Sequence, residues 1–206
     1  MRDFVNIAVL VSGGGTNLQA LIDAEKSGVL KSGKIKIVVS SSYGAFALER
    51  AKKSGIKTAV IAKKDFKTVK EKEAALIKTI EENDIDLIIL AGYMSILSAS
   101  FTKRFDKRII NIHPSLIPSF CGEGFYGLKV HEAALEKGVK VTGATVHFVN
   151  EIPDGGEIIM QKAVRVLKSD TAETLQKRVM RLAEWKILPQ AAERVSKNIL
   201  RKGVSE

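Results

Sequence analysis

The sequence contains one cysteine, and none of its apolar runs approaches the ~20 residues that a membrane-spanning helix needs. The single cysteine, Cys121, excludes a disulfide within the chain and is typical of a reducing cytoplasm. Residues 1–6 lack the long apolar segment of a secretory signal peptide. These absences predict a globular, cytoplasmic protein without a membrane partner.

Common metal-binding and nucleophile motifs are also missing. The histidines and the cysteine show neither HxxxH nor CxxC spacing, so no metal site is predicted. No Gly-x-Ser-x-Gly segment is present, which argues against an α/β serine hydrolase. Positive charge is in excess, with 33 Lys and Arg against 23 Asp and Glu, a net charge of +10. Because the lysines are scattered, we interpret them as a solvated surface that does not identify a partner.

Apolar runs alternate with segments of helical periodicity over the first 113 residues. The runs predict buried strands at 6–11, 35–40, 58–61, 86–91 and 109–113. Helices between them favour a parallel sheet with right-handed crossovers. Further on, the sequence predicts a helix at 128–137, an antiparallel strand pair at 142–149 and 157–166, and a long C-terminal helix. We expect Asp170 and Glu173 to cap this last helix and Pro189 to kink or restart it.

The predicted fold class is therefore α/β, with a Rossmann-like, mostly parallel sheet, an antiparallel C-terminal strand pair and a long C-terminal helix. Residues 1–206 are expected to form a single domain, since no repeat, linker or low-complexity segment interrupts the chain.

A glycine-rich turn joins the first predicted strand to the first helix at residues 12–17, Ser-Gly-Gly-Gly-Thr-Asn. Glycines allow backbone N–H groups to converge on an anion, and a helix N-terminus adds partial positive charge. The turn is not a Walker loop, because no Gly-Lys-Ser/Thr follows. It is a poor dinucleotide fingerprint as well, since Leu18 replaces the third glycine and residues 40–42 offer no acid for a ribose. A tight structural turn is one interpretation; a site for a single phosphate is the better one.

Asn111 and His113 lie two residues apart at the end of the fifth predicted strand, so their side chains point to the same face. Pro114 ends the strand at the sheet edge beyond which ligands bind in open parallel sheets. The Asp-Gly-Gly segment beginning at Asp154 is, on the simplest interpretation, an ordinary hairpin turn. If it folds back over this edge, Asp154 is expected to raise the pKa of His113 and keep the imidazole charged near neutral pH.

Together these segments resemble the phosphoribosylglycinamide formyltransferases, the folate-dependent transformylases of purine synthesis. The resemblance rests on residues 6–19 (NIAVLVSGGGTNLQ), 90–94 (LAGYM), 110–118 (INIHPSLIP), 142–149 (TGATVHFV) and 154–156 (DGG). Asn-x-His-Pro-Ser-Leu-x-Pro followed later by Asp-Gly-Gly is a highly specific combination.

The resemblance implies a role for each matching residue. The catalytic residues are Asn111, His113 and Asp154. The substrate phosphate and ribose are held by Gly15, Thr16, Asn17 and Glu184. The folate is bound by Met94, Ser95, Ile96, Leu97, Asn111, Asn150, Glu151, Ile152, Pro153 and Asp154.

The implied reaction is formyl transfer from 10-formyltetrahydrofolate, the co-substrate, to the glycine amine of glycinamide ribonucleotide, without a metal. Residues 1–105 form the phosphate- and nucleotide-binding half, and residues 106–206 the folate and catalytic half. The partners are these small molecules and not nucleic acid, and the chain is a monomer or homodimer. Ser95 and Val69 stand where the family often carries basic residues that contact the folate tail, although Lys70 is a possible substitute.

Two other readings stay open. A formyltetrahydrofolate deformylase or a methionyl-tRNA formyltransferase resembles this domain, but each usually carries a second domain for which this chain has no room. A non-catalytic nucleotide- or RNA-binding module explains the positive charge and leaves Asn111, His113 and Asp154 without a role.

Overall fold

The computed structural model of the chain describes residues 3–202, and the strand β1 (Val5–Val11) lies inside its sheet, with a neighbouring strand on each side. All seven residues of β1 are buried. Alternate side chains face opposite sides of the sheet, so Val9 packs in one hydrophobic cluster and Leu10 in the other. A strand covered on both faces has no solvent side, which explains the uninterrupted apolar sequence.

Seven strands form one sheet in the order β3-β2-β1-β4-β5-β6-β7. After β1, the strands are β2 (Gly33–Ser40), β3 (Lys57–Val60), β4 (Leu87–Leu90), β5 (Ile109–His113), β6 (Val141–Phe148) and β7 (Ile158–Arg165). Strands β1 to β5 pair in parallel, whereas β6 is antiparallel to both β5 and β7. The predicted fold class is confirmed, because the sheet is mostly parallel and its antiparallel strands lie at the C-terminal edge.

Helices cover both faces of the sheet. They are α1 (Thr16–Lys26), α2 (Phe46–Lys53), α3 (Val69–Glu82), α4 (Ala99–Arg104), α5 (Lys129–Glu136), α6 (Ala172–Val179) and α7 (Trp185–Lys202). Apolar residues of α1, α2, α6 and α7 pack on one face, and those of α3 and α4 pack on the other. Each fully buried Leu or Ile stabilises this core by about 1.5–3 kcal/mol. Among the described residues, no helix is long and apolar enough to cross a membrane.

The start of the C-terminal helices differs from the expected capping pair. Thr171 is the N-cap of α6, and its side chain and that of Thr174 form a reciprocal capping box. Asp170 instead forms an ion pair with Arg178, and the hydrogen bond from that guanidinium lowers the pKa of Asp170 to about 2. The Thr171 hydroxyl, one residue further on, reaches the free N–H of Thr174 and so takes the capping role.

Pro189 lies inside α7 rather than at a break. The interruption lies upstream, where residues Met180–Glu184 form one π-helical turn between α6 and α7. Proline cannot donate to the carbonyl four residues before it, so α7 lacks a hydrogen bond to Trp185, the residue at which it begins. Single π-helical turns are frequent at functional sites, and this one carries Glu184.

Candidate functional site

A cleft of about 840 Å³ opens beyond the carboxyl ends of β1, β4 and β5. Strand β1 has β2 on one side and β4 on the other, so the strand order reverses between them. Such a reversal places a crevice at the carboxyl edge of an open α/β sheet. The segments that line the cleft are the start of α1, residues 92–96 after β4, residues 111–114, the loop at 122–127, residues 153–154, His131 and parts of the C-terminal helices.

The glycine turn lies at one end of this cleft. Gly15 adopts a left-handed conformation with φ of 71°, and a Cβ there would lie 2.6 Å from the Ala47 Cβ. Gly13 and Gly14 are exposed, and a Cβ on either residue would meet nothing within 4 Å. Helix α1 begins directly afterwards, without a side-chain cap or an acidic residue in its first turn. The turn and the helix N-terminus therefore present uncapped N–H groups, the arrangement that binds phosphate.

Asn17 and Glu184 form a buried polar pair at the same end of the cleft. The Asn17 Nδ2 donates to Glu184 Oε2 at 2.7 Å, although 167 positions separate the two residues. Burial raises the pKa of Glu184 from 4.5 to about 7, against the lowering effect of the Asn17 hydrogen bond. The Asn17 Oδ1 is buried and has no partner among the described residues. A buried carboxyl and a free amide oxygen suit the hydroxyl groups of a sugar.

We expect the variant Glu184→Gln to remove a pH dependence of stability. The raised pKa means that, above pH ~4.5, the unfolded carboxyl ionises while the folded one keeps its proton. The free energy of unfolding of the wild type should thus fall by about 3 kcal/mol, relative to Glu184→Gln, as the pH rises from 4.5 to above 7. Urea unfolding of both proteins between pH 5 and 8 measures this, and a difference that does not change with pH would contradict the raised pKa.

Asn111 and His113 face the same side of β5, as the period of two predicts, and both reach Asp154. The Asn111 Nδ2 donates to Asp154 Oδ1 at 3.4 Å, and His113 Nδ1 lies 3.4 Å from Asp154 Oδ2. Asp154 itself has a positive φ of 55°, a strained conformation for a residue with a side chain. The turn at 154–156 therefore does fold back over the sheet edge.

The two nitrogens of His113 have different partners. The Nε2 lies 2.8 Å from the Phe120 carbonyl oxygen, which can only accept, so Nε2 carries a hydrogen. In neutral His113, the Nδ1 lone pair then faces the Asp154 carboxylate. When a second proton arrives at Nδ1, it lies between the imidazole and Asp154. Nδ1 is therefore the position at which His113 gains and loses a proton.

The expectation that His113 is charged near neutral pH is wrong for the chain without substrates. Burial lowers the pKa of His113, and this effect exceeds the raising effects of the Asp154 charge and the Phe120 carbonyl. The Asp154 charge raises the pKa of His113, as expected, but burial has the larger effect because His113 is only 4% exposed. Burial also raises the pKa of Asp154, but hydrogen bonds from His147 and Gly122 and the charge of His113 together lower it below its usual value. The free site thus holds a neutral imidazole beside a carboxylate near neutral pH.

The loop at 119–127 closes one side of the site. Its backbone supplies the Phe120 oxygen to His113 and the Gly122 N–H to Asp154, the latter at 2.9 Å. Phe120 has a positive φ of 51°, and its ring packs against Phe125 at 6.4 Å between ring centroids. This loop therefore orients both catalytic candidates through main-chain atoms, which its sequence does not reveal.

The segment after β4 is attached to its neighbours by two polar contacts. Ser12 Oγ accepts a hydrogen bond from Met94 N–H at 2.8 Å, which links this segment to the glycine turn. Glu73 of α3 accepts from both the N–H and the hydroxyl of Ser98. Met94 and Ile96 are 57% and 79% exposed, so the wall of the cleft formed by this segment is apolar.

Only some of the residues predicted to bind the folate line the cleft. Those that line the cleft are Met94, Ser95, Ile96, Asn111, Pro153 and Asp154. Leu97 packs against the α3 side of the core instead. Asn150, Glu151 and Ile152 lie outside the lining, and the Asn150 side chain accepts from Ile152 N–H. Of the predicted phosphate and ribose residues, Thr16, Asn17 and Glu184 line the cleft, and Gly15 directly precedes them.

Sequence reasoning missed His147 and His131 as site residues. His147 lies opposite Asn111 in the β5–β6 pairing, and its Nε2 is 3.3 Å from Asn111 Nδ2 and 3.4 Å from Asp154 Oδ1. His131 of α5 is buried, lines the cleft, and has a pKa lowered to about 4, chiefly by burial and also by the charge of His113. The alternation along β6, which places Thr145 and His147 on one face, is the signal that could have identified His147.

The chain is an α/β protein in which one cleft contains both a glycine turn of the phosphate-binding type and an Asn-His-Asp site. The family profile described as formyl transferase matches residues 5–192. The phosphoribosylglycinamide formyltransferase of Haemophilus influenzae is 44% identical over 183 residues, which cover 89% of this chain and 83% of that protein. The chain therefore belongs to the formyl transferase family, among the phosphoribosylglycinamide formyltransferases, as the sequence resemblance predicts.

Longer proteins and solved structures are similar to the chain as well. The human trifunctional purine biosynthetic protein adenosine-3 is 46% identical over 197 residues, which cover 96% of this chain and 19% of that protein. This chain thus spans about a fifth of the length of that trifunctional relative. The crystal structure of glycinamide ribonucleotide transformylase 1 from Symbiobacterium toebii superposes with a TM-score of 0.89 at 38% identity, covering 96% of this chain and 90% of that one.

Proposed function

We propose that the chain transfers the formyl group of 10-formyltetrahydrofolate to the glycine amine of glycinamide ribonucleotide, a step of purine synthesis. One observation carries this proposal: the Asp154 carboxylate lies 3.4 Å from both Asn111 Nδ2 and His113 Nδ1 at the carboxyl edge of the sheet. An amide donor and an imidazole that share one carboxylate can stabilise a developing oxyanion and move a proton.

The two ends of the cleft suit the two substrates. The uncapped N–H groups at Gly15 and Thr16 would hold the phosphate, with the Asn17–Glu184 pair beside the ribose. The apolar wall at Met94 and Ile96 suits the flat ring of a folate. Residues 1–105 would thus supply most of the nucleotide contacts, and residues 106–206 the catalytic groups together with Glu184.

Attack of the amine on the formyl carbon places negative charge on the formyl oxygen. The Asn111 amide and a protonated His113 would stabilise this charge. The present Asn111 contacts, at 3.3 and 3.4 Å, are long, and such contacts shorten or are replaced when substrates bind. This route needs neither a metal nor a covalent bond to the protein.

His113 and Asp154 would move the proton. Because burial keeps His113 neutral in the free protein, the imidazole would take up at Nδ1, through water, the proton that the attacking amine loses as negative charge develops on the formyl oxygen. Asp154 would hold that proton and, through water, help to move the amine proton to the leaving nitrogen. The co-substrate supplies the formyl group, and small molecules are the only partners that this proposal requires. The single unpaired thiol of Cys121 suits the reducing cytoplasm in which we place the reaction.

A formyl-transfer assay tests this function. Purified protein with glycinamide ribonucleotide and 10-formyltetrahydrofolate should yield formylated ribonucleotide and tetrahydrofolate in equal amounts. The control omits the ribonucleotide, and no formate should then appear. Formate release without an acceptor would identify a deformylase. Transfer only to methionyl-tRNA, or salt-sensitive RNA binding without transfer, would also refute the proposal.

A further inference from the structure

We infer that Arg50 of α2 is a positioning residue that orients the Gly15 N–H group of the glycine turn for phosphate binding. The inference rests on the proposed function for the identity of the phosphorylated substrate. Arg50 is half-buried and lies outside the catalytic cluster, on the side of the glycine turn that faces α2. Its contacts with the turn carry the argument.

Two carbonyl groups of the turn are hydrogen-bonded to α2. The Gly13 oxygen accepts from Ala47 N–H at 3.0 Å, and the Gly14 oxygen accepts from Arg50 Nε at 2.9 Å. Both oxygens therefore point toward α2. Left unpaired on the cleft side, either oxygen would repel a bound phosphate.

A planar trans peptide then fixes the direction of the next N–H group. The carbonyl of one residue and the N–H of the following residue point in opposite directions across the peptide plane. Holding the Gly13 carbonyl on α2 thus directs Gly14 N–H away from α2, and holding the Gly14 carbonyl does the same for Gly15 N–H. Neither N–H donates to another described residue, so both remain available to a ligand.

The Arg50 guanidinium is itself held in place. Its Nη1 donates to Gln19 Oε1 of α1 at 3.2 Å, and its plane lies over the Phe46 ring at 5.0 Å from the centroid. The guanidinium therefore bridges the glycine turn and the first helix, the two parts that supply N–H groups to the anion. Lysine cannot reproduce this contact, because its single ammonium lacks the planar, forked donor geometry.

The variants Arg50→Met and Arg50→Lys, with Lys53→Met as control, test the inference. Lys53 is an exposed residue of the same helix, and its replacement by Met removes the same charge as Arg50→Met does. Steady-state kinetics give the KM for each substrate, and calorimetric titration with inorganic phosphate gives its Kd without turnover.

Both Arg50 variants should raise the KM for glycinamide ribonucleotide and the Kd for inorganic phosphate by about tenfold, the effect of one hydrogen bond in an anion site. The kcat and the KM for the folate should stay within about twofold, because the His113 site is not touched. Lys53→Met should change none of these values. A purely structural role would instead alter both KM values and the unfolding midpoint together.

Any one of several results would overturn the inference. One is wild-type phosphate affinity in Arg50→Met. Another is wild-type phosphate affinity in Arg50→Lys, which would show that the charge alone is sufficient. A further one is a loss of phosphate affinity in Lys53→Met that equals the loss in the Arg50 variants. If Arg50→Met does not fold, Arg50→Lys decides the question alone. The phosphate titration separates this inference from the proposed function, since it reports on Arg50 even if the acceptor proves to be another phosphorylated amine. Absence of phosphate binding in the wild type would overturn the inference as well.

Discussion

Replacing His113 by asparagine is expected to lower kcat for formyl transfer by about 10³-fold, the usual size of a general acid–base contribution. In the proposed mechanism His113 takes up a proton at Nδ1, 3.4 Å from Asp154 Oδ2, and an amide cannot take up that proton. Asparagine is shorter than histidine, and its amide takes the place of Nδ1 rather than of Nε2, so the Phe120 carbonyl loses its hydrogen-bond donor. The rate of formylated product formation at saturating substrates measures the effect.

Two controls separate lost chemistry from lost structure in His113→Asn. The free energy of unfolding in urea should fall by about 1–3 kcal/mol, the cost of leaving the Phe120 carbonyl without its donor, and the variant should stay folded. The Kd for glycinamide ribonucleotide should stay close to that of the wild type, since the residues proposed to hold the phosphate and ribose lie at the other end of the cleft. Near-normal turnover in a folded variant would remove His113 from the mechanism.

Replacing Asp154 by asparagine is expected to lower kcat by at least about 10²-fold. The side chain keeps its size, but it loses the charge that favours protonated His113. Since the Asp154 carboxylate raises the pKa of His113 against the effect of burial, its removal should shift that pKa further down. At a given pH, a smaller fraction of His113 then carries a proton, and the shortage grows as the pH rises.

The pKa of His113 can be measured directly in both proteins. The chain has only three histidines, so their imidazole signals can be followed by NMR during a pH titration. We expect a His113 pKa below its ordinary value of about 6.5 in the wild type and a lower one in Asp154→Asn. An unchanged or higher His113 pKa in the variant would show that the carboxylate does not act through this imidazole.

Most of the fold could be predicted from local patterns. Apolar runs such as β1 identify strands buried on both faces, and the glycine turn identifies the first strand–helix connection. The same-face relation of Asn111 and His113 follows from the period of two in a strand. The prediction of the capping pair was wrong because Asp170 and Thr171 are both good cap residues. The choice between them depended on the ion pair of Asp170 with Arg178, eight residues further along the chain.

The sequence by itself therefore determined the sheet, the glycine turn, the family and the residues at the end of β5. Only the tertiary structure decided which distant residues meet there, because contacts across long separations depend on how the elements pack. Asp154 reaches His113 through a strained turn, and Glu184 reaches Asn17 over 167 positions through a π-helical turn. The direction of the His113 pKa was decided in the same way, since removal from water depends on every surrounding element and outweighs one nearby charge.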